Sequence, residues 1–72
     1  MVCEKMNFKD NLIELLRLHN ISQIKLAKEI GVSQRAVSKW CIGQSEPTAS
    51  NIYKIAIYFG VTADFLLGLS EI

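Results

Sequence analysis

The chain has 72 residues, half of them hydrophobic, and a formal net charge of +1. This length allows one domain, and hydrophobic residues spread along the whole chain favour a folded domain over disorder. No apolar run approaches the roughly 18 residues of a membrane span and the start lacks a signal-peptide stretch, so we expect a cytoplasmic protein with no membrane partner.

Cysteine and histidine content argues against a zinc site. Two isolated cysteines, Cys3 and Cys41, and the single histidine, His19, fall short of the roughly four ligands that structural zinc needs. We therefore expect free thiols, no metal and no cofactor. Cys41 is expected to pack in the core.

The first two predicted helices are bounded by capping residues. One helix runs from a cap at Asn7 to His19, and Asn20 tolerates the left-handed conformation that ends a helix. Ser22 caps the second helix, which Gly31 ends. The apolar residues expected to face inward recur at helical spacing: Phe8, Leu12, Ile13, Leu15 and Leu16, then Ile24, Leu26, Ala27 and Ile30.

Three more helices follow. Ser33 caps a third helix from Gln34 to about Cys41, Thr48 caps a fourth over residues 49–59, and Thr62 caps a fifth that ends at Gly68. No stretch shows a convincing period of two, so the predicted fold is all-α, a single domain over residues 1–72 with its core at about 8–68. The residues expected to face inward are Val37, Trp40, Ile52, Ile55, Ala56, Phe59, Phe65 and Leu66.

The short connection between the second and third helices carries the functional signal. Only residues 31–33 join them, so the helices must cross steeply, and a small residue at their closest approach, Ala27, and a glycine at the turn, Gly31, meet that need. Residues 22–45 hold four cations against one anion. The outer face of the third helix carries side chains suited to base edges: Gln34, Arg35, Ser38 and Lys39.

The spacing of Gln23, Ala27, Gly31, Val37 and Trp40 resembles the helix-turn-helix of the phage repressor and Cro family, also called the xenobiotic-response-element regulators. The likeness continues through the loop to the closing segment, residues 55–68, and so covers nearly the whole chain. It implies a compact five-helix, lambda-repressor-like DNA-binding domain that binds an operator as a homodimer, without a cofactor.

The resemblance also assigns roles by position. It gives base reading to Gln34, Arg35, Ser38 and Lys39 on the recognition helix, residues 34–41. It gives phosphate contacts to two helix starts and one loop: Gln23, Ser33, Gly43, Gln44 and Ser45.

Two departures from the family pattern stand out. Many relatives carry a basic residue where this chain has Gln44, which releases no counterion. Many also pair an arginine in the first helix with a glutamate at the end of the third, where this chain has Leu16 and Cys41. Because both partners are replaced together, no buried charge is left unpaired, and we expect a change of core packing only.

Apolar residues toward the end of the chain predict a dimer interface, at Ile57, Phe65, Leu69 and Ile72. A dimer would place two recognition helices about 34 Å apart on a near-palindromic operator.

These patterns predict a sequence-specific DNA-binding transcriptional regulator, a repressor of phage or mobile-element type. The alternative is a protein-interaction module, such as an antitoxin, that keeps the helix-turn-helix fold. An enzyme is not expected, because there is no clustered acid–base pair, no nucleophile beside a base and too little chain to enclose a pocket. Double-stranded DNA is the expected partner, with no small-molecule ligand.

Overall fold

The computed structural model describes residues 8–68, which form five α-helices and no strand. The five-helix, all-α prediction is confirmed, and Asn7, Leu69 and Ile72 lie outside the described residues. The helices are α1 Phe8–Leu18, α2 Gln23–Ile30, α3 Gln34–Cys41, α4 Ala49–Phe59 and α5 Ala63–Leu67.

A hydroxyl side chain begins each helix from α2 to α5. In each case the side-chain oxygen accepts a hydrogen bond from the backbone N–H three residues further on, which satisfies one of the amides that a helix start leaves without an intrahelical partner. The four caps confirm the sequence prediction: Ser22 accepts from Lys25, Ser33 from Ala36, Thr48 from Asn51 and Thr62 from Phe65.

A left-handed residue ends α1 and α2, as the sequence predicted. Asn20 has φ 56° and Gly31 has φ 79°. The next residue then donates its N–H back to a carbonyl five residues earlier, Ile21 to Leu16 at 2.9 Å and Val32 to Ala27 at 3.0 Å. These bonds satisfy helix-end carbonyls and turn two apolar residues inward, where they pack against the core.

One continuous core holds the five helices together. Trp40 is buried and meets the ring of Phe8 edge-on, with ring centroids 6.5 Å apart, which confirms its structural role. Leu16 and Cys41 are both buried, in agreement with a purely apolar replacement of the family's ion pair. The buried residues are Phe8, Leu12, Leu15, Leu16, Leu26, Ala27, Ile30, Val37, Trp40, Cys41, Ile55, Ala56, Phe59 and Leu66.

Two residues predicted to face inward do not. Ile13 is 43% exposed and Ile24 is 57% exposed. At 3.6 residues per turn, each lies about 115° around its helix from the centre of the buried side chains, on the flank of the apolar face. Ile52 and Phe65 are only partly buried, packed against the rim of the core.

The way the helices pack against one another leaves one face of α3 uncovered. α1 packs against α3 and α5, α2 packs against α3 and α4, and α4 packs against α5. The amide of Asn11 in α1 donates to the carbonyl of Phe65 at 2.8 Å and so ties the short α5 to the rest of the domain. Among residues 8–68, no helix is long and apolar enough to cross a membrane.

Candidate nucleic-acid interface

Helix α3, the predicted recognition helix, has a buried face and a polar face. Its buried side chains are Val37, Trp40 and Cys41. With 100° between successive residues, Arg35 and Lys39 lie diametrically opposite this face, and both are exposed. Gln34 is also exposed but lies on the flank, so three of the four predicted base-reading residues are accessible to a groove.

The charges of Arg35 and Lys39 are not neutralised by any acidic side chain of residues 8–68. Among residues 8–68 the ion pairs are Arg17 with Glu14, and Lys25 with Glu29 at 3.4 Å. Neither Arg35 nor Lys39 has an acidic partner in that part of the chain. Both can therefore approach a base edge or a phosphate without first breaking an ion pair.

The first residue of α2 contacts the recognition helix. The side-chain oxygen of Gln23 accepts a hydrogen bond from the hydroxyl of Ser38 at 2.8 Å. Ser38 is half-buried, whereas its three predicted companions in base reading are exposed. The structure thus joins a predicted phosphate contact to a predicted base reader, a pairing that the sequence did not indicate.

Ser33 stands at the start of α3, and no acceptor for its hydroxyl proton is found within residues 8–68. Its hydroxyl oxygen accepts from the N–H of Ala36 at 3.1 Å, and the hydroxyl proton takes no part in that bond. The positive end of the helix dipole lies at the same place. An exposed serine here suits a phosphate oxygen.

In the loop after α3, side chains rather than backbone N–H groups are available to bind a phosphate. The N–H of Gly43 donates to Trp40 at 3.2 Å, and those of Gln44 and Ser45 donate to the carbonyl of Lys39 at 2.9 and 3.4 Å. These bonds end the helix, so the polar groups left for a phosphate are the exposed side chains of Gln44 and Ser45. Gly43, at φ 76°, supplies the left-handed turn.

A cation that the sequence analysis missed lies beside this loop. A Cβ placed on Gly43 would come within 3.3 Å of Cδ and 4.0 Å of Nζ of Lys9, so the lysine side chain runs along the glycine. Lys9 stands in α1, far from the loop in sequence, and no local motif marks it. Only the packing of α1 against α3 brings its charge to the place where Gln44 lacks one.

The predicted dimer surface is partly described. Ile57 is 65% exposed on α4, whereas Phe65 is half-buried against the core, and Leu69 and Ile72 lie outside the described residues. Beside Ile57, α4 and α5 form an apolar groove of about 350 Å³. Its lining includes Ile52, Tyr53, Ala56, Ile57, Val61 and Leu67.

Neither a metal site nor an activated thiol is found in the described part of the chain. No group of three or more His, Cys, Asp or Glu side chains is placed to hold a metal there. Burial raises the pKa of the Cys41 thiol, which keeps it in the less nucleophilic protonated form at neutral pH.

Comparisons with known proteins agree with this geometry. A helix-turn-helix family profile matches residues 12–66. The chain is 36% identical over 67 residues to the HTH-type transcriptional activator BcrR of Enterococcus faecalis, covering 93% of this chain and 33% of that protein. It is 33% identical over 63 residues to the cryptic phage CTXphi transcriptional repressor RstR of Vibrio cholerae, covering 88% of this chain and 56% of that protein. The chain thus spans about a third of BcrR and just over half of RstR.

Solved structures show the same fold. A transcriptional regulator from Listeria innocua superposes with a TM-score of 0.86 at 26% identity, over 90% of this chain and 61% of that one. The SOS-response transcriptional repressor LexA from Eubacterium rectale gives a TM-score of 0.83 at 30% identity, over 93% of this chain and 73% of that one. The chain therefore belongs to the helix-turn-helix family of phage repressor and Cro type, a family of DNA-binding transcriptional regulators.

Proposed function

We propose that the chain is the sequence-specific DNA-binding part of a transcriptional regulator and that α3 enters the major groove. The observation that carries this proposal is the uncovered face of α3, where Arg35 and Lys39 point away from the core without acidic partners in the described residues. Arginine and lysine pair with guanine, and Gln34 beside them suits adenine. Two cations on this face favour DNA as the partner, whereas an acidic or apolar face would favour an antitoxin-like interaction module.

Phosphate contacts on both sides of α3 complete the proposed interface. Gln23 and Ser33 are at helix starts, where free amides and the dipole favour an anion. Gln44 and Ser45 lie beyond the other end of α3, and Lys9 adds the charge that this loop lacks. These contacts would fix the position of α3 on the duplex, while base contacts select the sequence.

Homodimerisation is part of the proposal. The proposed interface of one copy holds few cations, Arg35, Lys39 and Lys9, so its binding would be weak, and two copies on one operator would double the contacts. The exposed Ile57 and the apolar groove between α4 and α5 supply a surface that a second copy could cover. The operator would then be a near-palindrome with half-sites about 34 Å apart.

The protein is proposed to be non-enzymatic and cytoplasmic. Its proposed regulatory effect is repression. It rests on the likeness to RstR, which is named as a phage repressor, although BcrR is named as an activator. In a purified transcription assay, protein added to a promoter that contains the selected operator should reduce transcript yield. A rise in yield would indicate an activator.

Selection of bound duplexes from a random library tests whether the chain binds DNA sequence-specifically. We expect an enriched motif that contains guanine and adenine contacts for Arg35 and Gln34. Arg35→Ala should lose the preference at one position, whereas Lys54→Ala on the exposed surface of α4 should keep the motif. A library that stays random after repeated selection would contradict the proposal.

A further inference from the structure

One side-chain hydrogen bond crosses the helix-turn-helix. The Ser38 hydroxyl of α3 donates to Oε1 of Gln23 at the start of α2, at 2.8 Å, between two half-buried side chains. Ser38 lies on the flank of α3, whereas Arg35 and Lys39 point directly away from the core. Its hydroxyl proton is therefore committed inside the domain.

The bond decides which part of the Gln23 amide is available. An amide side chain has one accepting oxygen and two N–H donors. Because Oε1 is held by Ser38, the groups left for an outside partner are the Nε2 donors. A phosphate oxygen accepts hydrogen bonds and is repelled by an amide oxygen, so this orientation suits an anion and the flipped one does not.

Resting on the DNA-binding role proposed above, we propose that Ser38 is a positioning residue that acts through Gln23. Its hydroxyl holds the Gln23 amide with N–H toward the DNA backbone, and it ties the start of α2 to the middle of α3. The phosphate contact and the recognition helix then engage the duplex as one rigid unit. Ser38 contributes affinity for any sequence and does not select a base.

A double-mutant cycle on DNA affinity tests this assignment. Ser38→Ala, Gln23→Ala and the double variant are titrated against the selected operator and against an unrelated duplex, at a temperature where melting curves show every variant folded. We expect Ser38→Ala to weaken binding to both duplexes alike, by about 2- to 12-fold, the range of one neutral hydrogen bond. The double variant should bind no more weakly than Gln23→Ala, since both changes remove the same contact.

Two further variants sharpen the test. Ser38→Thr keeps the hydroxyl and should bind like the wild type. Gln34→Ala, an exposed neighbour on the same flank, should weaken operator binding only and should be additive with Gln23→Ala.

The outcomes separate this inference from the function on which it rests. Additive losses for Ser38 and Gln23 would show that Ser38 acts independently of Gln23, and a Ser38→Ala loss confined to the operator would show that Ser38 reads a base; either result would overturn the assignment. Unchanged affinity of Ser38→Ala, or a Ser38→Thr variant as weak as Ser38→Ala, would also overturn the assignment. In these cases DNA binding stands. A wild-type chain that binds neither duplex would overturn the DNA-binding role and the positioning role together.

Discussion

Replacing Lys9 by glutamine tests whether the DNA interface extends beyond the helix-turn-helix. The Lys9 side chain runs along Gly43, with Nζ 4.0 Å from the position of a Cβ there, so its charge lies beside the loop predicted to contact phosphate. A cation that neutralises one phosphate of a duplex adds about 0.9 to the slope of log affinity against log salt. Lys9→Gln should therefore lower that slope by about 0.9 for each copy bound.

The slope change of about 0.9 also sets the expected change in affinity. Between 50 and 200 mM salt, the advantage of the wild type over Lys9→Gln should shrink by about 3.5-fold for each copy, because counterion release contributes less at high salt. Fluorescence anisotropy of a labelled duplex over a salt series measures both slopes. Lys54→Gln on α4 is the matched control, since it removes the same charge away from α3. Equal slopes for the wild type and Lys9→Gln, or an equal decrease for Lys54→Gln, would refute the reasoning.

Three further variants test the base contact, the docking of α5 and the dimer. Arg35→Ala should cost about 1–3 kcal/mol on the operator and relax the preference at one base position; equal losses on random DNA would reduce Arg35 to a phosphate contact. Asn11→Ala removes the bond to the Phe65 carbonyl and should lower stability by about 1 kcal/mol, or about 4–8 °C in the melting temperature; an unchanged melting curve would show that α5 is held by its apolar contacts alone. Ile57→Glu should leave the fold intact, because the side chain is 65% exposed, but should shift sedimentation from dimer to monomer; a dimer that persists would place the interface elsewhere.

The helix boundaries were predictable because capping residues close to each boundary mark where most of the helices begin and end. Ser22, Ser33, Thr48 and Thr62 each accept the N–H that a cap should accept. Asn20 takes the left-handed conformation that the sequence suggested for it. Capping and helix termination involve residues only a few positions apart, so a single sequence is enough to recognise them.

The edges of the core were less predictable. Ile13 and Ile24 were predicted to face inward with the other apolar residues of their helices, yet both lie on the flank of an apolar face whose width depends on how closely the neighbouring helices pack. An apolar residue at the border of such a face is buried only when a partner helix reaches over it. The periodicity of one helix places such a residue on the flank, but whether a neighbouring helix covers it depends on tertiary packing.

The predicted DNA interface also combines features that follow from local sequence with contacts that depend on tertiary packing. The exposure of Arg35 and Lys39 follows from helical spacing against Val37 and Trp40, and it was predicted correctly. The bond between Ser38 and Gln23 and the approach of Lys9 to Gly43 depend on how α1, α2 and α3 pack together. Neither contact has a local motif, and both became visible only in the structure.

The specificity ratio tests the central claim, that α3 reads bases, most directly. The wild-type chain is titrated at physiological salt against its selected duplex and against a scrambled duplex of the same composition. We predict binding to the selected duplex at least about 1000-fold tighter, in the range of specific regulators, with two enriched half-sites about 10 base pairs apart. Equal affinity for the two duplexes would contradict the account, because it would reduce the uncovered face of α3 to a non-specific cationic surface.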